Sequence, residues 1–98
     1  MLATAAKKAK KSPKLTKASI FTMTGKVHVR NKEYEPAIEV LKKAIEVSPS
    51  YAPAYYWLGA ALKSNENEAA AKEAFNRSAS LDPSSRLGKK ARKFADKL

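Results

Sequence analysis

The chain repeats itself at a fixed interval. Gly25 recurs as Gly59 and Pro49 recurs as Pro83, each pair 34 residues apart. The positions between them match as well. Phe21, Thr24, His28, Ala37, Leu41 and Ala44 in the first copy answer to Tyr55, Leu58, Leu62, Ala71, Phe75 and Ser78 in the second. Two glycines or two prolines at equal spacing could be chance. Eight aligned positions restrict the chain to stacked copies of one small supersecondary unit, each copy covering an apolar face of its neighbour.

Each copy divides into two helical stretches. In the second, Tyr55, Leu58 and Leu62 fall on one face of a helix. Ala52-Pro53 suits its first turn, where a missing N–H is harmless, and the polar run Ser64-Asn65-Glu66-Asn67 ends it. A second stretch turns Ala71, Ala74, Phe75, Ser78 and Leu81 toward a partner helix, and Asp82-Pro83 stops it. The first copy follows the same plan, with Ala37, Ile38, Leu41 and Ile45 as its second apolar stripe and Pro36 near the start, where proline is tolerated. The predicted helices are 19–30, 34–47, 53–64 and 68–81. Gly25 and Gly59 fall inside helices, where glycine costs about 1 kcal/mol against alanine. That cost, repeated at one position of the unit, points to a close helix–helix approach, with Ala37 and Ala71 on the facing helix.

The period and the order aromatic, Leu-Gly, large residue, Ala, Phe, Pro resemble the tetratricopeptide repeat. Tyr55, Leu58, Gly59, Leu62, Ala71, Phe75 and Pro83 carry most of the resemblance, which covers about residues 18–83. The first copy is looser, with Thr24 where Leu is usual and His28 where Tyr is usual. Beyond Pro83, Ser84-Ser85 offer an N-cap, and Leu87, Ala91, Phe94, Ala95 and Leu98 have helical spacing. This segment resembles the capping helix of such arrays, predicted over 86–97 with its charges toward water; Gly88 is a misfit that should delay its start. The expected fold is therefore all-α: an α-solenoid of antiparallel helix pairs, with repeats at about 18–51 and 52–85 and a cap at about 86–98. Two repeats bury little surface, so a piece of a longer array is a further reading.

Charge separates the ends from the middle. Of 20 Lys and Arg residues, nine lie in residues 1–32, which contain no acid. Residues 33–85 hold five basic and eight acidic residues, and residues 86–98 hold six basic residues and Asp96. Residues 1–17 read as a basic flexible tail, since after Met1 only Leu2 and Leu15 are large apolar residues among its first sixteen. That tail could also act as an electrostatic arm for nucleic acid or anionic lipid. No apolar run approaches the length of a membrane helix, and no secretory signal stands out, so the expected compartment is the cytoplasm.

No catalytic constellation emerges, and no enzyme activity is expected. The absence of Cys removes disulfides and thiolate metal sites, and a single His, His28, removes paired-His chemistry. His28 occupies a place where the repeat packs a large residue and has no acid beside it at helical spacing, so a partly buried packing role is expected. Glu33, Glu35 and Glu39, like Glu66, Glu68 and Glu73, read as solvated helix faces. Gly25-Lys26 lacks the rest of a phosphate loop. Nothing in the sequence asks for a cofactor or a metal.

The resemblance implies a binding role. Its concave surface is lined mainly by the first helix of each repeat. On that surface it would place Thr22, Lys26, Val29 and Arg30 from the first repeat, Tyr56, Ala60 and Lys63 from the second, and Lys90 with Phe94 from the cap. This lining is basic with an aromatic component and no acid, so an acidic peptide or a C-terminal carboxylate is the expected partner, with Tyr56 on its apolar part. The clamp by which some members hold the acidic tails of chaperones is not carried over: Thr22 stands for its Lys, and Lys26 and Trp57 stand for its Asn residues. Of the three adjacent aromatics, Tyr55 fits the core best, leaving Tyr56 or Trp57 partly exposed. The alternative is a nucleic-acid or ribonucleoprotein-associated protein using the basic N-terminal tail and the last helix, although base-reading helical repeats need more copies than two.

Overall fold

The computed structural model describes residues 16–98, and these form five α-helices and no strand. They are α1 (Lys17–Arg30), α2 (Tyr34–Val47), α3 (Ala52–Ser64), α4 (Glu68–Leu81) and α5 (Arg86–Lys97). The spans agree with the sequence prediction to within two residues. The first helix begins earlier than expected because Thr16 caps it. The Thr16 hydroxyl accepts from the Ser19 N–H at 3.1 Å while the Ser19 hydroxyl accepts from the Thr16 N–H at 2.9 Å, a reciprocal capping box. The expectation for the basic tail falls almost wholly on residues 1–15, which lie outside the described residues.

Glycine has a different role in α5 from the one expected. The helix starts at Arg86, and the Gly88 N–H donates to the Ser85 hydroxyl at 2.9 Å as part of the cap. A Cβ at residue 88 would overlap the Asp82 carbonyl oxygen. Gly88 thus lets the α4–α5 turn close tightly and does not delay the helix.

The two repeats turn in the same way. Asn31 is the C-cap of α1 and Asn65 that of α3, and the residue after each, Lys32 and Glu66, has φ of 63°. The Glu33 N–H donates to the His28 carbonyl and the Asn67 N–H to the Leu62 carbonyl, both at 2.8 Å. This is the Schellman arrangement, which gives the last carbonyls of a helix their partners. It reverses the chain in three residues and sets α2 antiparallel to α1 and α4 to α3.

Helix pairs then stack. α1 packs on α2, α3 on α4, and α5 on α4; α3 also rests against both helices of the first repeat. The first helices of successive units touch, α1 with α3 and α3 with α5, whereas α2 and α4 do not. A stack whose first helices lie closer than its second helices curves toward the first, so α1, α3 and α5 form the concave side. The core runs through the stack as Ala37, Leu41, Tyr56, Leu58, Ala71, Phe75, Ala91 and their neighbours. A buried Ser78 hydroxyl on α4 donates to the Ala52 carbonyl at 2.9 Å, tying α4 to the first turn of α3. No described helix is long and apolar enough to cross a membrane.

Candidate functional site

Curvature alone places α1, α3 and α5 on one face, and the expected lining residues divide on it by depth. Lys26, Val29 and Ala60 are half-buried, and Arg30, Lys63 and Lys90 are exposed. Thr22 and Tyr56 are not open lining. The Thr22 side chain is buried because its hydroxyl turns back to the Ala18 carbonyl at 2.8 Å, within its own helix. Tyr56 is buried because α4 and α5 both close on it: its ring centroid is 5.7 Å from that of Phe75 on α4 and 6.3 Å from that of Phe94 on α5. Burial pushes the Tyr56 phenol above its ordinary value of 10.0.

The assignment of Tyr55 to the core is corrected in the same region. Tyr55 is half-buried, its hydroxyl donates to the Pro49 carbonyl at 2.8 Å, and the Arg77 guanidinium lies 5.8 Å from its ring. The physical reason is that α3 has neighbours on three sides. The sequence periodicity of α3 identifies the side facing α4, but the cap adds a second buried side, which claims Tyr56. Trp57 keeps the partial exposure expected of it and stands edge-on to Tyr56 at 5.1 Å.

Two of the cations sit on aromatic rings. Lys26 Nζ lies 5.5 Å from the Trp57 ring centroid, joining α1 to α3, and Lys63 Nζ lies 4.9 Å from that of Phe94, joining α3 to α5. Such contacts hold an ammonium near a chosen place without neutralising it. Lys90 shares one face of α5 with Arg86, Lys89 and Lys93. Among the described residues the only basic side chain within 4.0 Å of a carboxylate is His28, against Glu33, so Lys26, Arg30, Lys63 and Lys90 have no carboxylate within bridging distance. The face is an aromatic floor carrying positive charge, and it can attract and orient an anion.

His28 is half-buried, as expected, but it does have an acid beside it: its Nδ1 is 2.8 Å from Glu33 Oε1. Helical spacing could not reveal this contact, because Glu33 is brought back by the turn after α1. No group of His, Asp and Glu residues that could hold a metal ion occurs among the described residues.

A wider cleft of about 660 Å³ opens on the other side, between Lys42 of α2 and Glu73 and Arg77 of α4, over Tyr55 and Leu58. It exists because α2 and α4 do not touch. Its walls carry both signs of charge, Lys42 and Arg77 with Glu73.

Comparison with known proteins agrees with this architecture. A TPR repeat model matches residues 25–66, and a tetratricopeptide repeat model matches residues 52–85. No curated protein and no solved structure matches the chain. The two matches together run from Gly25, within α1, through the end of α4, and take in both glycine contacts: the chain belongs to the tetratricopeptide repeat family.

Proposed function

We propose that this tetratricopeptide repeat chain is a non-enzymatic interaction module that holds an acidic peptide or partner helix on its basic concave face. Repeats of this family serve as protein–protein interaction modules, which supports the coarse reading. The observation that carries the finer one is the set Lys26, Arg30, Lys63 and Lys90, four cations without a carboxylate partner among the described residues, two of them resting on Trp57 and Phe94. An incoming carboxylate would relieve their mutual repulsion, and the exposed edges of Trp57 and Phe94 would pack on the apolar part of the same ligand. Tyr56 then acts from below, by fixing Trp57 and Phe94 in place.

The test compares an acidic peptide with a free C-terminus against generic single-stranded RNA, using the full chain and a chain lacking residues 1–15. The truncation stops before Thr16 because that residue caps α1. The peptide should bind both chains alike. Tight RNA binding that collapses with salt and vanishes with the tail would replace this reading by the nucleic-acid one.

A further inference from the structure

The N-terminal end of the stack carries an apolar stripe whose counterparts elsewhere in the chain are covered. Ile20, Met23 and Val27 of α1 are 48%, 56% and 55% exposed. One repeat later the same positions are Ala54, Trp57 and Ala61; the two alanines are fully buried and Trp57 packs against the core. One interval further they are Gly88, Ala91 and Ala95 of α5, all buried. In α3 this face includes Trp57, which Lys26 of the preceding α1 approaches at 5.5 Å, and in α5 it is wholly buried. In α1 the same positions are about half exposed, and Ile20 and Val27 are larger than the alanines that stand there in α3. The far end of the stack is finished differently, since α5 exposes Arg86, Lys89, Lys90, Arg92 and Lys93. Among the described residues, the α5 end shows charge and the α1 end shows an apolar stripe.

Charge selects what can cover the apolar stripe. Lys17 lies one turn before Ile20 and Arg30 one turn after Val27, both exposed, and α1 contains no acid. A second copy docking α1 on α1 would set Lys17 against Arg30 or against its own counterpart. The opposite end of another copy would bring the cations of α5. Residues 1–15 would bring five lysines and no acid. Each of these occupants places positive charge on positive charge. We infer that the Ile20–Met23–Val27 face docks an amphipathic helix of another protein, one whose apolar stripe is flanked by Asp or Glu at both ends. This surface adjoins the concave face at Arg30, and its apolar contacts do not depend on the reading given for that face.

The test uses a display library of helical peptides with leucine at i, i+3 and i+7 and randomised flanking positions. It is selected on the full chain and counter-selected on the Ile20→Gln, Met23→Gln, Val27→Gln variant. These three side chains are exposed, so the variant should melt as the wild type does; should it melt lower, Met23→Lys alone takes its place. The selected peptides should carry Asp or Glu at the flanks. They should lose at least about tenfold in affinity for the variant, as expected when anchoring side chains are removed. They should bind a Lys63→Glu, Lys90→Glu chain unchanged. Selection of neutral or basic flanks, or of no peptide sensitive to the variant, overturns the proposal. So does sedimentation showing that the chain self-associates and that the triple variant abolishes this, which would make a second copy the occupant.

Discussion

A Cβ placed on Gly59 would lie 2.8 Å from Cδ1 of Phe75, and one placed on Gly25 would lie 2.5 Å from Cγ of Leu41. Leu41 and Phe75 are themselves equivalent positions of the repeat, so the same glycine-to-large-residue contact closes both helix pairs. Gly59→Leu should therefore overpack α3 against α4 and lower stability by about 1–3 kcal/mol or more. For a chain of this size that is a fall in melting temperature of roughly 4–8 °C per kcal/mol. Gly59→Ala should be milder and should be partly rescued by Phe75→Leu, which withdraws the ring. Ala71, fully buried between the same helices, should respond to Ala71→Leu in the same direction. Unchanged melting in Gly59→Leu would show that the ring can step aside freely.

Lys32 and Glu66 occupy the left-handed region that suits glycine, with φ of 63°. Placing a side chain there costs about 1–2 kcal/mol, part of which glycine returns through its greater freedom in the unfolded chain. Lys32→Gly and Glu66→Gly should each raise stability, by roughly 0.5–1 kcal/mol. Thermal or urea denaturation of the two variants measures this directly, and a loss of stability would mean that the side chains have a compensating role.

These two turns also show where the sequence was readable and where it was not. The internal interval and the polar breaks gave five helices within two residues, because helix length and apolar spacing are local properties. The Schellman turns left no glycine to mark them. The depth of Tyr56 was hidden because α5, which covers it, is distant in sequence and supplies Phe94 from a different unit. Thr22 looked like a groove residue by its place in the repeat, but a threonine that bonds its own helix draws its hydroxyl inward. That Arg30, Lys63 and Lys90 are exposed and Lys26 half-buried was legible because surface charges follow helix rotation alone. Their pairing with Trp57 and Phe94 required the relative placement of three helices.

Burial raises the Tyr56 phenol, so the folded chain holds that proton more tightly than the unfolded chain does. Stability from this group is fully present below the unfolded value near 10 and is lost as pH rises through the higher folded value. Tyr56→Phe keeps the ring packing and removes the ionisation. Its stability should decline less than that of the wild type across about pH 9 to 11. Urea titrations of the two proteins at each end of that window check the sign. Parallel declines would mean that the ring leaves the core before it ionises.

The Ser78 hydroxyl donates to the Ala52 carbonyl across 26 residues of sequence, in a fully buried place. Ser78→Ala should cost about 1 kcal/mol, the net worth of a typical internal hydrogen bond. Hydrogen exchange should locate the added opening at the first turn of α3. A uniform increase across the chain would show that the bond stabilises the whole stack and not that contact.

The central claim is that the concave face binds through the positive charge of Lys26 and Lys63. Isothermal titration of the wild type and the Lys26→Glu, Lys63→Glu variant, against an acidic peptide and the same peptide with its acids changed to lysine, tests it most directly. Circular dichroism should show the same helix content in both proteins, since neither lysine is in the core. The wild type should bind the acidic peptide alone and the variant should prefer the lysine peptide, with both affinities weakening as salt rises. Equal affinity of both proteins for the acidic peptide would contradict the account.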